Sequence, residues 1–491
     1  LVQIRKIIVA ANRGPLYFVE DESSSSPGQL IGKRDSSRAS ELFDPLVNVP
    51  ITWVSAAVGA ADRNAVEQLG SSGGEIRSSA IPDSWSVRFV SPPRRVHHKF
   101  YNVICNPLLW FVLHRSWSPT FTPNIGEQEH DAWERGYRVV NESFAREIVG
   151  AAGEQQFAVL CRDYQMMLVP GLVRKMRPES VIHQSFDTPW PWPSEFELLP
   201  AAWRIELMES LLSADVISFP STNDIDAFAF CVRMYSSDVV VDGGTISRAG
   251  QNVRLTVAAP QIRSEKFKSI TELPGTRRHI DDLADDRYSH TFITVDRSEP
   301  HKNIVRSINA FGGLLVKQPD LARNVRFLLY LTPGPAHISA YKRLSDEIRR
   351  SARRINENFD GVNPVQVREE NNFYRAVAAL SIYDTLVSVP VVDGAGRAAL
   401  DGPVVNSRDG GMILSETNVA SGIYGDLVPT VSITDVAAMT RAMAEAVSEP
   451  PDQRKRNADA MREIVAAESG GASDLSIRQI LAELASIDSR K

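Results

Sequence analysis

The sequence predicts an α/β protein of two doubly wound domains facing a cleft. Short β-branched runs alternate with helical patterns, and the alternation breaks once, near residue 245, before it restarts. The chain has 491 residues, more than a single core usually supports. Near-continuously apolar strands between helices are what a parallel sheet covered on both faces requires, because neither face meets water.

In chain order, "KIIVAAN", "ITWVSAAVG", "SVRFVSP", "FAVLCRD", "SVIHQSF" and "ADVISFP" read as the strands of the first half. The helices from Arg94 to about Arg115 and from about Glu129 to Gly153 are its long covers. "VVVDGGTISRAGQNVRLTVAAP" reads as a hairpin with glycine turns, and a charged stretch through "DDLADD" follows. "TFITVDR", "VRFLLYLTP", "PVQVREE", "TLVSVPVVD" and "GMILSET" then supply a second set of strands. This predicts Rossmann-like domains at 1–245 and 246–450. The amphipathic segment 451–491 is expected to be helical and to pack back on the N-terminal domain.

Apolar residues make up 43% and charged residues 23%, and the net charge is −6, so no basic field attracts nucleic acid or an anionic membrane. No apolar run reaches the ~20 residues of a membrane span. Cys105, Cys161 and Cys231 lie far apart within apolar stretches and read as reduced core thiols. The opening segment lacks a signal-peptide cleavage pattern, so a cytoplasmic location is expected. No His and Cys cluster has metal-ligand spacing, and no metal or cofactor is expected.

In an open α/β sheet, ligands bind beyond the carboxyl ends of the strands. Arg13, Asp163, Arg297 and Asp393 all fall at such ends. Within "TVDRSEPHKN", Arg297 as a planar fork and Lys302 as a point charge would bracket a diphosphate, aided by a helix starting at His301. In "DGAGRAALD", Asp393 would cap a helix, with Gly394 in its glycine-rich start, and Asp401 would accept from ribose hydroxyls. An ordinary capped helix is the plainer reading of that segment. The two carboxylates of "NDIDAF", Asp224 and Asp226, are assigned to helix capping and the helix dipole. Trp190 and Trp192 in "DTPWPWPSEF" either wall a pocket or pack.

Together these segments resemble the trehalose-6-phosphate synthase family, retaining glycosyltransferases of the GT-B type, over nearly the whole chain. "ANRGP" matches the family's phosphate-contacting Arg at Arg13, and "YNVICNPLLW" matches its Tyr and Trp at Tyr101 and Trp110. "RDYQMMLVPG" matches the motif around Asp163, "DRSEPHKN" the diphosphate loop, and "DGAGRAALD" the Asp-Gly-Met-Asn…Glu segment. The resemblance implies an acceptor site of Arg13, Tyr101, Trp110, Asp163 and His183. It also implies a donor site of Asp393, Gly394, Asp401, Arg297 and Lys302.

The chain departs from that pattern around the sugar. Arg162 stands where the family has His before Asp-Tyr, and Asp187 occupies the place of a sugar-contacting His. Pro335 replaces an Arg that holds the acceptor phosphate, and Asp401 replaces Glu. These changes fit a divergent branch of pseudo-glycosyltransferases that joins GDP-valienol to the amine of validamine 7-phosphate with retention, giving validoxylamine A 7′-phosphate and GDP. On that reading Arg297, Lys302, Asp163 and Asp187 serve catalysis, with Asp187 facing the cyclitol and the incoming amine. The alternatives are a divergent trehalose-6-phosphate synthase using a nucleotide glucose and glucose 6-phosphate, and an inactive regulatory homologue. Small-molecule substrates are the expected partners, with a homodimer expected on the general behaviour of soluble enzymes.

Overall fold

Strands whose successive side chains point to opposite faces must be apolar throughout when both faces are covered. Ile8 and Ala10 therefore enter one core cluster, with Val159, Ile182 and Ile217, while Val9 and Ala11 enter another, with Trp53, Leu160 and Val216. Burial of each Val, Ile or Leu side chain stabilises by roughly 1.5–3 kcal/mol relative to exposure. The computed structural model describes residues 5–21, 28–35, 43, 46–69, 74–118, 120, 122–258, 264–284, 287–359, 361–467 and 482. It divides into two compact units, one containing Leu1–Leu113 and Trp117–Ala259, the other His114–Ser116 and Pro260–Ala472.

The first unit contains β1 (Lys6–Ala11), β2 (Leu16–Glu20), β3 (Leu30–Arg34), β4 (Ile51–Ala56), β5 (Trp85–Val90) and β6 (Phe157–Arg162). It continues with β7 (Val181–Ser185), β8 (Val216–Phe219), β9 (Val239–Asp242), β10 (Thr245–Arg248) and β11 (Gln251–Val257). The large sheet has the order β5-β4-β1-β6-β7-β8-β11-β10-β9. It is parallel from β5 to β11 and antiparallel over the last two pairings. Two-residue turns at Gly243–Gly244 and Ala249–Gly250 have positive φ at both positions, which matches the twist of a tight hairpin.

The second unit contains β12 (His290–Arg297), β13 (Val325–Thr332), β14 (Val365–Glu369), β15 (Thr385–Ser388), β16 (Gly411–Ser415) and β17 (Thr430–Val431). All six are parallel, in the order β14-β13-β12-β15-β16-β17. In each unit the chain builds outward on one side of its first strand and then crosses to the other side. The order reverses between β1 and β6 in the first unit, and between β12 and β15 in the second. Such reversals splay the following loops apart and open a crevice at the carboxyl ends of the two strands.

Three expectations are corrected. The boundary expected near 245 falls inside β10, because β11 pairs with β8 and carries the first sheet on to Val257. The helix expected from Arg94 to about Arg115 is interrupted at Asn106, whose φ of −137° and ψ of 104° are non-helical, just before Pro107. Of the segment 451–491, the helical residues 451–467 belong to the second unit, burying Ala458, Met461 and Val465 in one cluster with Tyr383 and Leu386, and only for that part does the expected packing on the first unit fail. The remainder of 451–491, residue 482 apart, lies outside the described residues.

Candidate active site

The second unit's reversal gathers a charged cluster from two strand ends. Arg297 ends β12, and a single tight turn, Pro300–Lys302, follows it. The main helix starts only at Ile304, after Asn303 at φ 60°, so the helix expected from His301 begins three residues later. Lys302 thereby sits in the turn, with its side chain only 8% exposed. Its Nζ donates to Asp393 Oδ2 at 2.6 Å and lies 2.9 Å from Asp296 Oδ2. Burial disfavours the charged ammonium, but the two carboxylates more than offset it and hold its pKa above the ordinary lysine value.

Burial pushes both carboxylates up, yet Lys302 brings Asp393 down to about 2, while Asp296 stays raised under Asp393's like charge. Asp393 Oδ1 accepts from the Ala395 N–H, a local turn bond. Asp393 therefore does not cap the following helix, Arg397–Val405, whose N-cap is Gly396 at φ 51°. Gly394 is buried beside it. Arg297 is half exposed and meets the buried Glu299 at 3.3 Å. It is the more open of the two cations.

Asp401 is corrected. Its carboxylate is 4% exposed and held at 2.8 Å by Arg397, one helical turn earlier, which removes it from direct reach of a ribose.

In the first unit the reversal lies between β1 and β6. Arg13, after β1, is exposed and makes no hydrogen bond or ion pair among the described residues. Asp163, after β6, has φ 65° and ψ 179°, a conformation that only glycine adopts without strain. It is held there by its neighbours. Its N–H donates to Ser185 O at 2.7 Å, and its Oδ1 accepts from Tyr164 N at 3.0 Å and Thr188 Oγ1 at 3.2 Å. Burial and the charge of Asp187 push Asp163 up to about 6.

Arg162 completes this cluster. It donates to Ser185 Oγ at 3.1 Å and to Asp187 Oδ2 at 2.8 Å, with its own side chain 6% exposed. Arg162 and Asp187 are thus paired with each other. Asp187 is anchored by a guanidinium and does not stand alone toward a ligand.

Trp110 packs near Tyr164, with ring centroids 5.7 Å apart, beside the Asp163 loop. Tyr101 is drawn to His97, on which it stacks. His183 is corrected. It is 1% exposed within β7 and bonds Ser218 Oγ through Nε2, and burial lowers its pKa to about 3, so it is a neutral sheet residue. Trp190 is fully buried, its backbone N–H donating to Asp224 Oδ1 at 2.9 Å, whereas Asp226 is exposed. Asp224 thus pins the Trp-Pro turn, and Ser221 caps the helix. No group of three or more His, Cys, Asp or Glu disposed to hold a metal occurs among the described residues.

Motif reading marked Arg162 only as a departure from the family pattern and missed Asp296 and Glu299 as parts of the site. The signal was present: an Arg and an Asp close strands whose preceding residues are apolar, and a charge buried there needs a partner.

The family model of glycosyltransferase family 20 matches residues 5–471. The chain is 23% identical over 470 residues to the validamine 7-phosphate valienyltransferase of Streptomyces hygroscopicus subsp. jinggangensis, covering 93% of this chain and 90% of that protein. It is 27% identical to the bifunctional trehalose-6-phosphate synthase/phosphatase of Thermoproteus tenax, over 74% of this chain and 49% of that one. The fold superposes with a TM-score of 0.80, at 16% identity and 98% of each chain, on the Escherichia coli trehalose-6-phosphate protein bound with UDP-2-fluoro glucose. It superposes with a TM-score of 0.78, at 18% identity over 98% of this chain and 99% of the other, on the Burkholderia xenovorans α,α-trehalose-phosphate synthase in complex with glucose-6-phosphate.

Proposed function

The chain belongs to glycosyltransferase family 20, and from that premise we propose that it is a pseudo-glycosyltransferase joining GDP-valienol to validamine 7-phosphate. The observation that carries this reading is the polar cluster after β6 and β7, where Arg162 pairs with Asp187 and lies near enough to Asp163 to favour its ionised form. A carboxylate pair of that kind suits an amine and a developing allylic cation better than a neutral sugar hydroxyl. The 23% identity to a validamine 7-phosphate valienyltransferase over 93% of the chain supports the same reading.

In the reaction the C–O bond to the diphosphate breaks and a C–N bond forms on the same face. The ammonium proton passes to the departing diphosphate oxygen, and no enzymatic nucleophile takes part. Arg297, exposed at the end of β12, neutralises the diphosphate, while Lys302 presents a charge already fixed in place by Asp296 and Asp393. Charge preorganised for a charge-developing transition state is the main catalytic device. Arg13 receives the acceptor phosphate.

Mass spectrometry of products decides between donors and acceptors. GDP-valienol with validamine 7-phosphate is expected to give validoxylamine A 7′-phosphate and GDP. Product only from UDP-glucose with glucose 6-phosphate would make the chain a divergent trehalose-6-phosphate synthase, and product from neither pair would overturn both readings.

A further inference from the structure

Arg162 is an unusual residue for its place. It ends a strand in which all six residues are buried, and its Nε is buried with no hydrogen-bond partner among the described residues. A guanidinium withdrawn from water to this degree destabilises unless its remaining N–H groups are well used. They go to Ser185 and Asp187, on and just beyond the neighbouring strand β7.

Three further bonds join the same two loops. Asp163 N–H donates to Ser185 O, Gln184 Nε2 donates to Asp163 O at 3.1 Å, and Thr188 Oγ1 donates to Asp163 Oδ1. Five hydrogen bonds thus lock the end of β6 to the end of β7, with Asp163 on one side and Asp187 on the other.

We propose that Arg162 is a positioning residue, holding the Asp187 carboxylate and the end of β7 in place beside Asp163, so that the two carboxylates together receive a cationic group of the acceptor. The proposal rests on the pseudo-glycosyltransferase reading for the identity of that acceptor. One guanidinium against two carboxylates leaves the cluster a single negative charge when both are ionised, and an ammonium completes it. Asp163 Oδ2 makes no hydrogen bond among the described residues, and Asp163 and Asp187 are each partly exposed, which leaves carboxylate oxygen within reach of a ligand.

The charged and titratable neighbours are few. Arg162 and Asp187 act on Asp163 in opposite directions, and His183 on β7 is neutral. Cys105 and Tyr137, from the covering helices, are kept protonated by burial.

Two single substitutions move the site in opposite directions. Arg162→Gln removes the pull that favours ionised Asp163, so the acidic limb of the pH profile for turnover shifts to higher pH. Asp187→Asn removes the opposing like charge, so the same limb shifts to lower pH. Each variant loses turnover at least tenfold with the amine acceptor, Arg162→Lys recovers part of it, and GDP affinity is unchanged. If Arg162→Gln fails to fold, Asp187→Asn and Arg162→Lys carry the test. Limbs that stay in place, or losses that track a fall in melting temperature alone, would overturn the proposal. Should the wild type make no product from this acceptor, the functional reading fails separately. The limb is then read as the pH dependence of aminocyclitol phosphate binding by calorimetry, where opposite displacements support the positioning role and none refutes it.

Discussion

Lys302 Nζ stands 2.6 Å from Asp393 Oδ2, although 91 residues separate them in the chain, and both side chains are less than a tenth exposed. With Asp296 on its other side, the ammonium serves two carboxylates at once. Removing it does more than delete a diphosphate contact. Lys302→Ala is expected to lower turnover by roughly 10²–10³. It is also expected to destabilise the second unit by about 3 kcal/mol, because two buried carboxylates lose their counter-charge. Arg297→Ala, at a half-exposed position, should cost similar turnover with a smaller fall in melting temperature, since only one buried carboxylate, Glu299, loses a partner there. Equal thermal stability of the two variants would contradict the burial argument.

Asp296 is held above the ordinary carboxylate range by burial and by Asp393. An arriving diphosphate adds negative charge and raises it further, so nucleotide binding should take up a proton there and weaken as pH rises. Calorimetric titration with GDP in buffers of different ionisation enthalpy measures that uptake. Asp296→Asn should abolish it.

His183 has a folded-state pKa of about 3, well below its unfolded value of 6.5. The unfolded chain therefore binds the extra proton, and the stability this residue confers is present above pH 6.5 and lost as pH falls toward 3. His183→Asn should flatten the acid limb of stability, by up to about 1.4 kcal/mol per pH unit below 6. Denaturant unfolding between pH 7 and pH 4 checks the slope. An unchanged slope would mean that His183 is protonated in the folded state.

Arg13 is expected to raise the acceptor KM when changed to Ala, by about tenfold, without altering nucleotide affinity. Its effect should vanish with an acceptor that lacks the phosphate. Steady-state kinetics with phosphorylated and unphosphorylated aminocyclitol decides this, and equal losses with both would remove Arg13 from the phosphate.

Apolar periodicity made the strands legible, because buried parallel strands must be apolar on both faces. "TFITVDR" and "FAVLCRD" could be placed for that reason, and the sites followed from what stood at their ends. The topology was not legible. Nothing local in "KIIVAAN" tells that β6 will lie beside it, so the reversal points appear only with the strand order. The hairpin was recognised from its glycines, but its strand β11 also continues the parallel sheet, a long-range pairing with no signature in the turn. Asp401 and His183 were misjudged for a related reason. Side-chain burial depends on which face of an element meets a neighbour, and a motif fixes spacing without fixing the face.

The backbone at Asp163, φ 65° and ψ 179°, suits glycine better than any residue with a side chain. In evolutionary terms the position is held against a standing downhill path. Asp163→Gly would relax the turn and discard the carboxylate together, so a population selected only for heat tolerance would tend to drift toward a firmer, silent protein.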